Sequence, residues 1–325
     1  MISIVYITAR KQPHLEWFLN SLSNQILVSD ESPEVIIVDY WEKQRALFEL
    51  CNVIQPPCNL THVSPLPSPV QGKHKITQKE YFAPSAARNA GIVHAKGDYI
   101  VFVDDVSVLR PNWWERVKKA YNERYIVFGK YEKLTQMVVE NGIVTSYYES
   151  VGVDTREVTQ DLTLNNGGWC YGCSFGAPTE ILLACNGVDT LCDMIGSEDY
   201  QLGMRMGRLG VPMYYDRLMI TSESHEAHTI DVVMERFDKE TTPEQYYNNL
   251  KRFGLRNCFF TDMKRWDSSH LILDTLFQLD SPMALLNHFD LRKLREKAQR
   301  GEEITAEDMC FPSTFWFDNT PLTDY

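Results

Sequence analysis

At 325 residues, with 44% hydrophobic and 12% aromatic side chains, the chain holds ample material for a packed core, which excludes wholesale disorder. Its formal net charge of −12 disfavours nucleic acid and anionic membranes as partners through bulk electrostatics, leaving only a local basic patch as a route to either. No apolar run approaches the ~20 residues that cross a bilayer. Met1 leads straight into an apolar strand, with neither a basic n-region nor a cleavage site. The expectation is a soluble, cytosolic protein.

Ile2–Thr8 is a continuous β-rich run, and Leu15, Phe18, Leu19 and Leu22 follow at helical spacing, with Pro13 suited to a first turn. A second buried strand over 35–38 ends at Asp39, and 46–50 suits the helix after it. A short strand near 61–63 leads into a Pro-rich loop, 65–81, too long and polar for simple punctuation. Pro84 opens a helix carrying Ala86, Ala87, Ala90 and Val93. The apolar run 99–103 then stops abruptly on Asp104 and Asp105. This alternation predicts parallel strands joined by right-handed crossovers. Carboxylates at the carboxyl end of a buried strand lie where open α/β sheets place ligands. Adjacent acids there repel each other unless a cation such as Mg²⁺ or Mn²⁺, or a hydrogen-bonded ligand, compensates them. The plainer reading is a solvated turn.

The pattern changes after Tyr125. Glu140-Asn141-Gly142-Ile143, flanked by β-rich residues, predicts a hairpin. Residues 165–175 are rich in Gly and aromatics and read as a loop beside a ligand. Ser197 can cap a helix through Leu202, Arg205, Met206 and Leu209 that ends near Gly210 and Pro212. From about residue 230 the pattern is mostly helical, with Pro243 and Pro282 as starts. The division expected is a domain over 1–230 and a helical extension over 231–325. In the extension Leu271, Leu276, Phe277, Leu285, Leu286, Phe289 and Leu294 need a partner surface to bury them, and the expectation is that the extension packs on the first domain and helps form the acceptor side or an oligomer contact. Of the eight cysteines, Cys170 and Cys173 form a Cys-x-x-Cys. It lacks the second ligand pair of a zinc ribbon and does not open a helix as a redox motif should. Reduced thiols are expected.

Thr8-Ala9-Arg10 and Asp39 end the first two strands. Ala87-Arg88-Asn89-Ala90-Gly91 opens a helix, Gly97-Asp98-Tyr99-Ile100 begins the strand ending at Asp104-Asp105, and Gly167-Gly168-Trp169 with Gly172 precedes Glu198-Asp199. In order and spacing these segments, over about residues 1–228, resemble the GT-A glycosyltransferases, above all the inverting family 2. Two departures stand out: Tyr40-Trp41 follows Asp39 where the family often writes Asp-Gly-Ser, and Val106 stands where a stricter motif has a third acid.

The resemblance implies an α/β GT-A fold: a Rossmann-like mixed sheet flanked by helices, here with a mostly helical C-terminal extension. It implies transfer of a hexose-type sugar from a nucleotide-sugar, UDP-linked by family habit, to an acceptor hydroxyl on a glycan or other molecule. By resemblance Thr8, Ala9, Arg10, Asp39, Arg88, Asn89 and Asp104 would line the donor site. Asp105 would hold a divalent metal, Mn²⁺ or Mg²⁺, completed by His225, with His228 as the alternative. Asp199 would be the general base of an inverting transfer, with Trp169, Tyr171 and Glu198 on the acceptor side. Each has a plainer reading: Asp39 as a strand-end turn residue, Arg88 as a helix-surface cation, Glu198 and Asp199 as partners of a helix dipole, the aromatics as packing. A nucleotidyltransferase would carry a Gly-rich Arg and Lys signature after the first strand, which is absent. The rival of a different class is an inactive carbohydrate-binding or scaffold protein on the same fold, a reading that Val106 favours.

Overall fold

Ile2–Thr8 (β1) is buried along its whole length because both its faces are covered, as a continuous apolar run requires. A computed structural model describes residues 1–27, 32–50, 58–68, 70–71, 80–152, 154, 156, 158–190, 193, 198–229 and 289–309. β1 pairs in parallel with Glu34–Asp39 (β2) on one side and Tyr99–Asp104 (β4) on the other, and β2 pairs in parallel with Asn59–Val63 (β3). Beyond β4 the sheet becomes mixed. Ser174–Pro178 (β11) runs antiparallel between β4 and Ile126–Leu134 (β6), and Met213–Ser224 (β12) lies parallel to β6.

Alternate residues of each central strand feed two cores. Val5, Ile7, Ile36, Val38, Ile100 and Phe102 face one; Ile4, Tyr6, Val35, Ile37, Val101 and Val103 face the other, the period-2 rule at work. Leu15–Ser23 (α1) and Trp113–Glu123 (α4) cover the second core with Leu15, Phe18, Leu19, Leu22, Trp113 and Trp114. Pro84–His94 (α3) covers the first. Its small residues are a packing requirement: a Cβ added at Gly91 would come within 2.3 Å of Val5. Pro84 occupies the first turn, as expected, while the two free amides of Ser85 and Ala86 are bonded by the distant Asp193 carboxylate.

The predicted hairpin forms from Val138–Glu140 (β7) and Ile143–Ser146 (β8), with Asn141 and Gly142 both at positive φ, 51° and 76°. Its turn packs on α1, where Asn24 Nδ2 donates to Asn141 O at 2.8 Å. The predicted helix after residue 197 is Glu198–Gly207 (α6); Ser197 lies outside the described residues. Cys58, Cys170, Cys173 and Cys185 are free. No described helix is long and apolar enough to cross a membrane.

Of the extension, 289–309 is described and contains one helix, Leu291–Gln299 (α8), capped by Asp290; Leu271, Leu276, Phe277, Leu285 and Leu286 lie outside the described residues. α8 lies on α3: Leu291 and Leu294 are buried in the first core, and Arg295 donates to Ile92 O at 2.7 Å. Arg295 also reaches Gly97 O, just before β4 begins, so α8 grips the sheet at the end opposite Asp104 and Asp105. The expectation that the extension packs on the first domain holds for this helix. Leu294→Ala should cost about 2–4 kcal/mol by the cavity it leaves, read as a lower denaturant midpoint, with nucleotide affinity unchanged.

Candidate active site

The strand order β3-β2-β1-β4 reverses direction at β1, and such a switch point opens a crevice at the carboxyl ends of the strands. Register puts Thr8 opposite Asp39 and Ile7 opposite Asp104, so all three ends meet at that crevice. Asp105 bridges it. Its Oδ2 accepts from Thr8 Oγ1 at 2.7 Å and its Oδ1 from Arg10 Nε at 2.9 Å. Arg10 Nη1 reaches on to Ala227 O at 3.1 Å, with Nη2 3.5 Å from His228 Nδ1, beside His225–Thr229 (α7).

Burial holds the Asp105 carboxyl above its usual range even with Arg10 and Thr8 opposing it. Val106 follows at φ 55°, an uncommon conformation for a β-branched residue. The turn is pinned there by Val106 N to Pro13 O at 3.0 Å and Ser224 N to Val106 O at 3.2 Å.

Arg88 joins the two halves of the site. Nη2 donates to Asp104 Oδ1 and Nη1 to Glu198 Oε1, both at 2.8 Å. Burial alone would lower the affinity of this guanidinium for its proton; Asp104, Glu198 and Asp199 together raise it above the normal value. The Arg88 side chain is 3% exposed, and its buried Nε has no hydrogen-bond partner among the described residues. Asp199 sits beside this bridge with Oδ2 accepting from Gly172 N at 2.7 Å. A helix start by itself favours an ionised carboxylate. Here burial, with Glu198 adding to it, pushes the Asp199 carboxyl up to about 6, against the opposing pull of Arg88 and the Gly172 amide.

The Gly-rich loop has a steric logic that the sequence alone hides. A Cβ at Gly172 would stand 2.0 Å from Arg88 Nη2, and one at Gly167 would stand 2.2 Å from Gly203 O on α6. Trp169 packs edge-on to Tyr215, with centroids 5.5 Å apart, and the Arg156 guanidinium lies 4.1 Å over the Tyr171 ring.

Two expected donor residues lie apart from this crevice chemistry. Asn89 is buried and exchanges both its side-chain bonds with the Val188 backbone, at 2.8 and 2.7 Å, next to α8. Asp39 is fully buried. It accepts from Arg45 Nε and Nη2 at 2.7 Å, from Trp41 N at 2.9 Å, and pairs with His62 Nε2 at 3.0 Å. These bonds fill the lone-pair positions of a carboxylate, leaving none for a base or ribose. Arg45 also donates to Lys11 O at 2.7 Å, beside a cleft of about 280 Å³ lined by residues 11–14, Glu16 and Glu49.

Glu223, near the end of β12, was not legible as a site residue. It is buried, its carboxyl pushed up to about 7 by burial and then by Asp104 and Asp105. Lys133 and His228 each stand 3.8 Å from it. The signal that finds it is register: Glu223 lies opposite Ser107, two residues after Asp105.

Residues 67–179, from the loop before α3 through β11, match the family described as Glycosyl transferase family 2. The chain is a GT-A fold protein similar to the family 2 glycosyltransferases. Among solved structures, GalNAc-T7 with UDP, GalNAc and Mn²⁺ superposes with a TM-score of 0.51 at 11% identity, covering 99% of this chain. This chain spans 58% of that one. Staphylococcus aureus TarS 1–349 with UDP gives a TM-score of 0.48 at 14% identity, covering 95% of this chain and 88% of TarS. No curated protein matches. The GT-A likeness accounts for the mixed sheet and for the crevice at its switch point.

A divalent ion in such a GT-A crevice would meet the hard oxygens of Asp104 and Asp105, with the buried Glu223 carboxyl raised first by burial and then by those two acids. That chemistry suits Mg²⁺ or Mn²⁺. Asp104 keeps Oδ2 outside its Arg88 bond and is 32% exposed, whereas Asp105 is 12% exposed and engaged through both oxygens. No three described His, Cys, Asp or Glu residues form a group that could hold an ion; Asp105 accepts one bond on each oxygen, which leaves lone-pair positions for a ligand.

Burial raises the Asp39 carboxyl, but its bonds from His62, Arg45 and Trp41 outweigh this and hold it below the usual range. Its stabilisation is therefore present above about pH 4, the ordinary Asp value, and is lost as pH falls through the lower folded value. Asp39→Ala should destabilise the fold at pH 7 by about 3 kcal/mol, since it leaves Arg45 buried without its partner. Denaturant melts should show a weaker dependence on pH below about 4 in the variant than in the parent.

Proposed function

We propose that the chain transfers a sugar from a nucleotide-sugar, UDP-linked in the first instance, to an acceptor hydroxyl with inversion. The observation that carries this reading is the bridge from Asp104 through Arg88 to Glu198, which sets a donor-side acid and the Glu198-Asp199 pair around one crevice. The family match over 67–179 supports the reaction class. GalNAc-T7, solved with UDP, supports the donor expectation.

In this reading Asp199 takes the proton of the acceptor hydroxyl. The acceptor oxygen then bonds to the anomeric carbon as the bond from that carbon to the diphosphate oxygen breaks, and the electron pair leaves with the diphosphate. A carboxyl poised near 6 is a better base at neutral pH than an ordinary Asp while still ionised. Arg88 holds Asp104 and Glu198 in place. Thr8, Ala9 and Arg10 line the donor side, and Trp169 and Tyr171 border the acceptor side. A divalent ion held by Asp104 and Asp105, with His228 or His225 nearby, would stabilise the charge on the departing diphosphate as a Lewis acid. Of the two histidines, His228 is the one beside Arg10 and Glu223.

The rival reading, an inactive carbohydrate-binding or scaffold protein, draws on Val106 in place of an acid. A panel of nucleotide-sugars, incubated with and without Mn²⁺ and assayed for released nucleotide, separates the two. Release from at least one donor is expected; binding of glycans without turnover of any donor would favour the rival.

Two further outcomes follow. UDP affinity should rise on adding Mn²⁺, and Asp104→Ala or Asp105→Ala should abolish that rise in a chain that still folds, with a lower melting temperature because Arg88 or Arg10 loses a partner. Equal affinity with Mn²⁺ and with chelator in the parent would overturn metal dependence. Asp199→Asn should bind donor normally and lose 10²–10⁴ in turnover, roughly the contribution of a general base. Turnover of the parent should fall about tenfold per pH unit below about 6, and that dependence should vanish in Asp199→Asn.

A further inference from the structure

The loop that carries Trp169, Tyr171 and Gly172 has no regular structure, and its bonds at Gly167, Gly168 and Cys170 are local ones. Something outside it must fix where it lies. Arg156, which no motif singled out, makes that attachment. Its Nη1 donates to Trp169 O and its Nη2 to Gly129 O on β6, both at 2.7 Å. Nε and Nη2 also grip the two Asp154 oxygens, at 2.7 and 2.6 Å. The guanidinium is sandwiched between two rings, 4.1 Å from the Tyr171 centroid and 4.6 Å from that of Tyr215 on β12. Asp154 in turn accepts from Tyr131 N and Tyr215 Oη, both at 3.3 Å. Both side chains of the Arg156–Asp154 pair are at most 2% exposed.

A buried ion pair of this kind is a poor source of net stability compared with apolar packing. What the planar fork does provide is fixed geometry: several donors at set angles and two stacking faces. Here the fork joins Trp169 O of the loop to Gly129 O of β6, its two faces meet Tyr171 of the loop and Tyr215 of β12, and its other bonds go to Asp154 two residues away. Three residues after the carbonyl that Arg156 holds, the Gly172 amide donates to Asp199 at 2.7 Å.

We propose that Arg156 is a positioning residue of the transfer site: it locks the 166–172 loop to β6 and β12 so that Gly172 meets Asp199 and the two aromatics border the acceptor. This rests on the reading of Asp199 as the base. Releasing the loop would remove the Gly172 amide, which keeps Asp199 more acidic than burial alone would. The other groups facing Asp199 are Glu198 and Tyr200 on its own helix, Arg88 from α3, and the Cys170 and Cys173 thiols of the loop and its end; of these, only the two thiols also feel the Arg156 charge, which Arg156→Lys keeps.

The test compares full-length Arg156→Lys and Arg156→Met with the parent, using donor hydrolysis with water as acceptor. Lysine keeps the charge without the fork, and serves as the milder variant if methionine fails to fold. Expected results are unchanged UDP affinity and unchanged KM for donor. Turnover should fall roughly 10–100-fold, the scale for a misplacement of about 1 Å, with the acid limb of the pH profile shifted upward and faster amide exchange over 168–173. A lower melting temperature with turnover and acid limb unchanged would reduce Arg156 to a structural residue and overturn the proposal. If the parent releases no nucleotide from any donor, the transferase reading fails instead. Amide exchange then still decides the loop: unchanged protection over 168–173 in both variants overturns the locking role as well.

Discussion

Arg88 carries a positive charge into the buried interior, where Asp104 and Glu198 compensate it. An isolated buried guanidinium would be strongly destabilising, while one bridged by two carboxylates becomes a rigid strut. The strut determines much else. It ties the end of β4 to the start of α6, and it forces glycine at 172 because a side chain there would overlap the guanidinium. It also shields Asp199 only partly from the charge of Glu198. Three segments far apart in the chain are thus coupled through one side chain of α3.

The same principle recurs around the crevice. Asp39 is held by Arg45 and His62, Asp105 by Arg10, and Asp154 by Arg156. Each of these three acids has its own cation, whereas Asp104, Glu198 and Asp199 share Arg88, and the balance differs from one to the next. Where hydrogen bonds saturate the carboxylate, as at Asp39, the acid is strengthened and closed to ligands. Where burial and like charge outweigh the partner, as at Asp199 and Glu223, the acid is weakened and chemically poised. The distinction between a structural and a reactive carboxylate here is a matter of how many donors each one accepts from.

The far end of the sheet has a different function. α8 brings Leu291 and Leu294 onto α3, and Asn186 ties both Phe289 O and Leu291 N back to the first domain. Arg88 projects from the same helix that α8 presses on the sheet. Packing at one end and charge bridging at the other therefore act on a single element, whose close seating on β1 depends on Gly91.

By itself the sequence determined the parallel strands, the hairpin at Asn141-Gly142, the helix opened by Pro84 and the presence of acids at strand ends, because these follow from local periodicity, fixed φ and turn chemistry. It also placed Thr8, Arg10, Asp104, Asp105, Glu198 and Asp199 in candidate roles that the fold brings to one crevice. Only the tertiary structure decided which of those groups remain available. Asp39 and Asp104 look alike as strand-end carboxylates, yet one is closed by Arg45, Trp41 and His62 and the other keeps an oxygen open. Glu223 and Arg156 carry no motif, since their significance comes from register and from partners tens of residues away. Periodicity is a property of neighbours in the chain, whereas burial, hydrogen-bond saturation and proton affinity are set by neighbours in space, and those exist only once the sheet has formed.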